Sequence, residues 1–276
     1  MYFRGCRRSA DEGALSATKT LAFVLKKQDY RDTSLLIDLY TKDWGRIRGI
    51  VKGIRDSRAR FGSTLEPFSL NEILFYKRRK SDLHLVTHAE LINSFDPIHG
   101  ELERYATACY CMELVAELVE GEESSPEIFA LIQDTLTFLS SGASPKRSAR
   151  IFEVKLLDRL GMMPEVKVCV FCQSEPKDTV YFNQALGGIH CKDCGTKQRE
   201  GARSVSALAG GTSVPIFRGT LQFLNHVKRA PVSDLYSVKV SQDVGAELGK
   251  ILRRFTDFHL NHKLKTLTFM EKAGIS

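Results

Sequence analysis

Two Cys-x-x-Cys pairs, Cys169–Cys172 and Cys191–Cys194, constrain this chain more than any other feature. Eighteen residues lie between them. Each pair sets two sulfurs at the tip of a tight turn. Four thiolates complete a tetrahedron around one zinc ion and leave no open position for water or substrate. The spacing is that of a zinc ribbon. Gly195 follows Cys194, and Gly187-Gly188 lets the chain reverse between the pairs. Residues 167–202 are therefore expected to form a small ribbon stapled by one structural Zn2+. A closed four-sulfur site makes a platform for binding and is not a catalyst. The competing use of such pairs is as redox dithiols, which would make the chain a thiol oxidoreductase. His190 abuts Cys191, but four sulfurs already fill the shell, so it is expected to be a non-ligand.

The other cysteines, Cys6, Cys109 and Cys111, show no disulfide pattern, and a reducing cytoplasm is the expected home. No apolar run approaches the ~18 residues needed to span a bilayer. Residues 1–18 mix Arg4, Arg7 and Arg8 with Asp11 and Glu12 and read as a disordered extension rather than a secretory signal. The formal net charge is +7, but its distribution says more. Residues 1–97 hold 18 Lys and Arg against 12 Asp and Glu; residues 98–168 hold 7 against 12; residues 169–276 hold 15 against 9. Two basic regions flanking an acidic one suggest a polyanionic partner, most often nucleic acid. The bland alternative is solvated surface charge.

Residues 19–97 read as β structure. Short apolar or alternating runs at 20–25, 34–41, 45–52, 68–76 and 83–95 are separated by polar turns, which suits a small antiparallel barrel. From Leu102 the period changes. Leu102, Tyr105, Cys109, Met112, Ala116 and Val119 mark one face of a helix near 98–121. Ser125-Pro126 starts a second helix that ends at Gly142, and Pro145 opens a third that stops at Gly161. Helical spacing resumes with Ile216, Thr220, Phe223 and Val227. It returns with Leu248, Ile251, Leu252, Phe255 and Phe258. The expected architecture is α+β and multi-domain. A helical domain in two parts, 98–166 and 203–276, follows the barrel and carries the ribbon as an insertion.

The segment from Lys42 to Arg60 is rich in cations. Arg46, Arg48, Lys52, Arg55, Arg58 and Arg60 are the candidates here for contacts to a phosphate backbone. Arg46 and Arg48 lie two apart in a strand and so share a face. Lys77, Arg78, Arg79 and Lys80 form the expected tip of a hairpin and could line the same groove. Such contacts release condensed counterions, so binding should weaken steeply with salt. Tyr76, beside Lys77, is the favoured stacking residue; Phe61 and Trp44 are further candidates, and Phe68 is expected to fill the barrel core. There is no phosphate-cradling Gly-x-x-x-x-Gly-Lys loop and no recognisable Ser/His/Asp arrangement.

Several motifs follow one another along the chain. They are Ala22-Phe23-Val24-Leu25, Tyr30-Arg31-Asp32, Thr41-Lys42-Asp43-Trp44-Gly45, Val51-Lys52-Gly53-Ile54-Arg55, Leu65-Glu66-Pro67-Phe68, and Leu160-Gly161-Met162-Met163-Pro164 before the first Cys pair. In these the chain, from about Thr20 to Gly274, resembles the RecO family of bacterial DNA repair and recombination mediators. The resemblance implies an N-terminal OB-fold, a helical domain and a zinc module. It implies binding of single- and double-stranded DNA, annealing of complementary strands, and help in loading RecA onto DNA coated by single-strand-binding protein. The implied partners are RecR and the acidic, apolar C-terminal tail of that coating protein; no membrane and no catalytic turnover are implied. Lys52 and Arg55 match the family's basic positions and carry the DNA-contact role first; nothing is carried onto residues before Thr18. The last long helix offers a place for the tail, with Lys250, Arg253 and Arg254 beside a stripe of Leu248, Ile251 and Phe255. The competing use of that stripe is ordinary bundle core. The same barrel on an RNA-binding protein is the remaining alternative.

Overall fold

The computed structural model describes residues 17–54, 61, 65–78, 81–177, 179–200, 213–260 and 262–275. Arg55, Arg58, Arg60, Arg79, Lys80 and the extension before Ala17 lie outside the described residues.

Five strands open the chain: β1 (Ala17–Tyr30), β2 (Ser34–Thr41), β3 (Gly45–Val51), β4 (Leu70–Tyr76) and β5 (Leu83–Asn93). They close into a barrel in the order β1-β2-β3-β5-β4. The expected antiparallel pairing holds at four seams, but β3 and β5 run parallel, Arg48 opposite Leu83 and Val51 opposite Val86. β4 pairs with the other edge of β1 and runs antiparallel to both β1 and β5, so β5 points in the direction of β3. The long β1 serves two partners. Residues 17–23 pair with β4 and residues 22–30 with β2, with a bulge between Val24 and Lys26 that bends the strand around the barrel. Because Ala17 already pairs with Tyr76, residues 17 and 18 belong to the barrel rather than to the extension.

The run Ala22-Phe23-Val24-Leu25 is buried on both faces, which is why it shows no polar alternation. Ala22 and Val24 point inward with Ile37, Leu39, Ile47, Ile73 and Phe75. Phe23 and Leu25 point outward into a second core that they share with the helices. Phe68, at φ 54° with its N–H on the Val24 carbonyl at 2.7 Å, is buried but lies in this shared core and not in the barrel interior where the sequence reading puts it, because its ring packs on His99 and Tyr105.

The helices are α1 (Asp96–His99), α2 (Leu102–Leu118), α3 (Pro126–Ser140) and α4 (Pro145–Arg159). After the cysteine module come α6 (Arg218–Arg229), α7 (Val232–Leu235), α8 (Gln242–Leu260) and α9 (Lys265–Lys272). Ser125 caps α3, its Oγ accepting the Ile128 N–H at 3.3 Å, and Pro126 takes the first turn as the sequence suggests. The expected single apolar face of α2 is too narrow a reading. The barrel, α3, α4 and α9 surround the helix, so Ala106, Ala108, Tyr110, Cys111, Met112, Leu114 and Val115 are all buried, while Leu102 is 56% exposed. Glu113 accepts the backbone N–H groups of Lys265 and Thr266, both at 2.9 Å, and caps α9. Glu247 on α8 does the same for α6 through the Phe217 N–H and the Thr220 hydroxyl.

The cysteine module contributes β6 (Val180–Asn183), β7 (Gly188–Cys191) and the helix α5 (Lys192–Glu200). With β8 (Val214–Ile216) they form a three-stranded sheet in the order β7-β6-β8. This sheet is no isolated appendage. Val180, Phe182, Ile189 and Ile216 share one core with Val154 and Leu157 of α4, Leu224 of α6, and Ile251 and Phe255 of α8. Among the described residues no helix is long and apolar enough to cross a membrane.

Candidate metal centre and nucleic-acid face

The four Sγ atoms of Cys169, Cys172, Cys191 and Cys194 lie within 4.8 Å of one another. Two knuckles bring them there. In the first, the Gln173 N–H closes on the Cys169 carbonyl and the Cys169 N–H on that of Ser174, both at 2.9 Å, with Gln173 at φ 57°. Val170 N–H reaches the Ile189 carbonyl, so this knuckle is tied directly to β7. The second begins as β7 ends at Cys191, and Cys194 follows in the first turn of α5. Gly188 is obligatory where the knuckles meet, since a Cβ there would stand 2.6 Å from the Glu165 carbonyl oxygen. Gly195 leaves room for the ring of His190, whose Cε1 would lie 2.7 Å from an added Cβ.

His190 is not one of the converging groups. Its Nε2 meets Ser213 Oγ at 2.9 Å, and its ring stacks on Tyr181 at 5.5 Å between centroids. Sequence reading could exclude it as a ligand but not find this packing role. Burial raises the Cys169 thiol, but backbone N–H groups of Cys172, Cys191 and Phe171 outweigh it and bring it down to about 6. The hydrogen bond with Cys191, reinforced by burial and the remaining thiols, pushes Cys194 up to about 12. One sulfur thus ionises readily, and further negative charge in the cluster needs a cation. Four soft donors so placed fit a closed, four-coordinate metal ion. Among the described residues no other group of His, Cys, Asp or Glu side chains converges in this way.

The basic residues of the barrel are not equivalent. Arg46 and Arg48 point to one outer face of β3, as the period of two requires, but different neighbours cover them. Arg46 is engaged at the seam with the helices. Its Nη1 donates to the Val119 carbonyl at 3.2 Å and its Nη2 lies 3.5 Å from Asp38, beside the fully buried Tyr40. That guanidinium is a joint between barrel and helices rather than an open phosphate contact. Arg48, one pair further along, keeps 61% of its side chain exposed, with Asp38 3.2 Å away. Lys52 is exposed just beyond the end of β3. At the other end of the parallel β3–β5 seam lies the hairpin base. Tyr76 is half-buried there, Arg78 uses its backbone N–H to bond His84 Nδ1 at 3.2 Å, and Lys77 packs its ammonium 4.8 Å from the centre of the Trp44 ring. Trp44 rests edge-on against Phe75, and Phe61 is buried in the barrel, so Phe61 has no face free for a base. Arg48 and Lys52 thus keep exposed cations on and just beyond β3, about 13 Å apart at the usual strand rise, and Lys77 is half-exposed at the hairpin base.

The expected tail groove on α8 is only partly open. Leu248, Ile251 and Phe255 are 1–2% exposed and form part of the core, because α4, α6 and the β6–β8 sheet close over that stripe. Arg253 pairs with Glu271 of α9 at 3.0 Å. Lys250 and Arg254 remain outside and edge a hollow with Phe217, but Asp243 and Glu247 share it. The other flank of α8 holds a larger cavity of about 600 Å³ against α4. Lys146, Arg147 and Arg150 line it with Phe223, Val240 and Leu248, and among the described residues no carboxylate does. Arg150 is held there by a bond to the buried Glu153, which also takes the Tyr110 hydroxyl. Gly249 makes the space, since a Cβ would lie 3.0 Å from Arg150 Nε.

A closed five-stranded barrel welded to a helical body, with a four-thiol cluster built into that body, defines a class of barrel-and-bundle protein. Comparison with known proteins agrees across nearly the whole length. Residues 15–95 match the family described as Recombination protein O N terminal, and residues 99–268 match Recombination protein O C terminal. The DNA repair protein RecO of Anaeromyxobacter sp. (strain Fw109-5) is 31% identical over 258 residues, covering 93% of this chain and 96% of the relative. That of Myxococcus xanthus (strain DK1622) is 30% identical over 254 residues, 92% and 97%. That of Syntrophus aciditrophicus (strain SB) is 29% identical over 256 residues, 92% and 95%. The chain belongs to the RecO family. The family's names describe recombination and DNA repair.

Proposed function

We propose that this chain is a recombination mediator. It binds single- and double-stranded DNA along the outer face of β3 and the β4–β5 hairpin, anneals complementary strands, and, with RecR, helps load RecA onto DNA coated by single-strand-binding protein. The observation that carries the reading is the pair of exposed cations Arg48 and Lys52, with the half-exposed Lys77, on the barrel of a chain from a DNA repair family. Cations so placed neutralise two repelling backbones and let them approach closely enough to pair. The four cysteines hold Zn2+, which joins the two knuckles and so fixes the sheet against α4, α6 and α8; its role is structural. Polarisation of a labelled single-stranded oligonucleotide over a salt series tests the reading. Submicromolar binding with a steep negative slope is expected, together with faster annealing of complementary strands. No binding at low salt would overturn it, and preference for RNA over matched DNA would favour an RNA-binding barrel.

The acidic, apolar tail of the coating protein fits the cavity between α4 and α8 better than the Lys250–Arg254 flank. Lys146 and Arg147, beside an Arg150 already paired with Glu153, suit carboxylates, and Phe223, Val240 and Leu248 suit an aromatic end. Lys146→Glu is expected to weaken binding of a labelled acidic peptide ending in an aromatic residue by at least about fivefold, the scale of one charge-assisted contact. A loss caused instead by Lys250→Glu with Arg254→Glu would return the site to the outer flank.

A further inference from the structure

The described part of the basic face contains a carboxylate that the barrel does not supply. Residues 119–125 link α2 to α3 and press on the barrel beside the β2–β3 turn. The Val119 carbonyl accepts Arg46, and the Ser125 carbonyl accepts the Tyr40 hydroxyl at 3.3 Å. Gly45, at φ 61°, lies so close that a Cβ would stand 2.3 Å from the Glu123 carbonyl oxygen. From this fastened linker Glu122 reaches across to two barrel residues. Its Oε1 lies 2.8 Å from His84 Nε2, and its Oε2 pairs with the Lys77 ammonium. His84 is buried, and its Nδ1 accepts the Arg78 N–H, so Nε2 carries the proton donated to Glu122. Burial pushes the Glu122 carboxyl up, but the bonds from Lys77 and His84 outweigh it and hold it below the ordinary carboxylate range.

Lys77 thus sits between the Trp44 ring and a carboxylate oxygen while 41% of its side chain remains exposed. An anionic oxygen on an ammonium backed by an aromatic face is also how a DNA phosphate would bind there. We propose that Glu122 is an internal phosphate mimic, occupying Lys77 in the DNA-free protein and yielding it to a phosphate when a strand binds. The inference rests on the DNA-binding reading above. Its consequence is a weaker but more exchangeable grip. As a phosphate leaves, Glu122 returns to Lys77, and its bond to His84 keeps it within reach throughout. A protein that anneals strands and then releases the product needs such exchange.

A double-mutant cycle tests this. Glu122→Gln keeps the side-chain shape and an acceptor for His84 but removes the charge, and thermal melting checks that each variant folds. Single-stranded oligonucleotide binding to Glu122→Gln is expected to tighten about threefold, the scale of an exposed ion pair. Lys77→Gln should then weaken the Glu122→Gln protein by about threefold, yet change the unaltered protein by less than about half that factor. Glu123→Gln, which removes the same charge one residue further on, should tighten binding less than Glu122→Gln does. Equal effects of the two glutamate variants, with Lys77→Gln costing the same in both backgrounds, would overturn the proposal and leave only general charge repulsion. If no form of the protein binds the oligonucleotide at low salt, the DNA-binding reading itself fails and this inference falls with it.

Discussion

Cys169→Ser is expected to abolish stoichiometric zinc binding and to lower the melting temperature by about 10 °C. Cys169 is the fully buried member of the four and the one whose sulfur the surrounding backbone N–H groups prepare for ionisation. Removing it leaves three donors and an open position, which converts a closed site into a weak one. The binding free energy of structural zinc in isolated peptides is about 10–16 kcal/mol. The loss here is smaller, because β6 and β8 keep Val180, Phe182 and Ile216 packed against α4, α6 and α8 after the metal has gone. A loss of about 4 kcal/mol is in keeping with the largest single-site effects, and it corresponds to the stated shift for a domain of this size. Elemental analysis and melting decide it together. A variant that still carries one zinc per chain and melts unchanged would show that the cluster holds nothing structural.

Reversing two exposed charges, Arg48→Glu with Lys52→Glu, is expected to weaken single-stranded DNA binding by at least about tenfold at moderate salt. The slope of log affinity against log salt should flatten by about 1.4, the share of two phosphate contacts on a single strand. Melting should hardly move, since both side chains project from the outside of β3 and only Arg48 has a described partner, the exposed pair with Asp38. Arg46→Gln is the informative contrast. It breaks the bond to Val119 and the pair with Asp38, so it should lower stability and leave the salt slope alone. If the double reversal leaves both affinity and slope unchanged, the β3 face is not where DNA lies.

Those two arginines show what a sequence can and cannot disclose. Alternation along β3 puts Arg46 and Arg48 on one face, and that much was legible. What separates them is the covering of that face by α2 and the linker beyond it, a contact across 73 positions of chain. The same limit explains the helices. Ser125-Pro126 announces its own helix start because a cap is local. Glu113 caps a helix 152 residues away, and nothing in its neighbourhood marks it as different from Glu117. The stripe on α8 admits both groove and bundle core, because periodicity reports an apolar face without saying what meets it. The cysteine pairs were legible for the opposite reason. Their chemistry demands that they meet, whatever the chain does between them.

Phe23, Leu25 and Tyr40 lie on the outside of the barrel yet inside the protein, in one core with Phe129, Leu114 and Val115. The first ninety-odd residues are therefore not a portable unit. Cut from the helices, the barrel would present a broad apolar band to water where α2 and α3 now sit. Left in place, it is a grip with no wrist: a strand bound on β3 as proposed would be held by the helical body too, at a fixed angle.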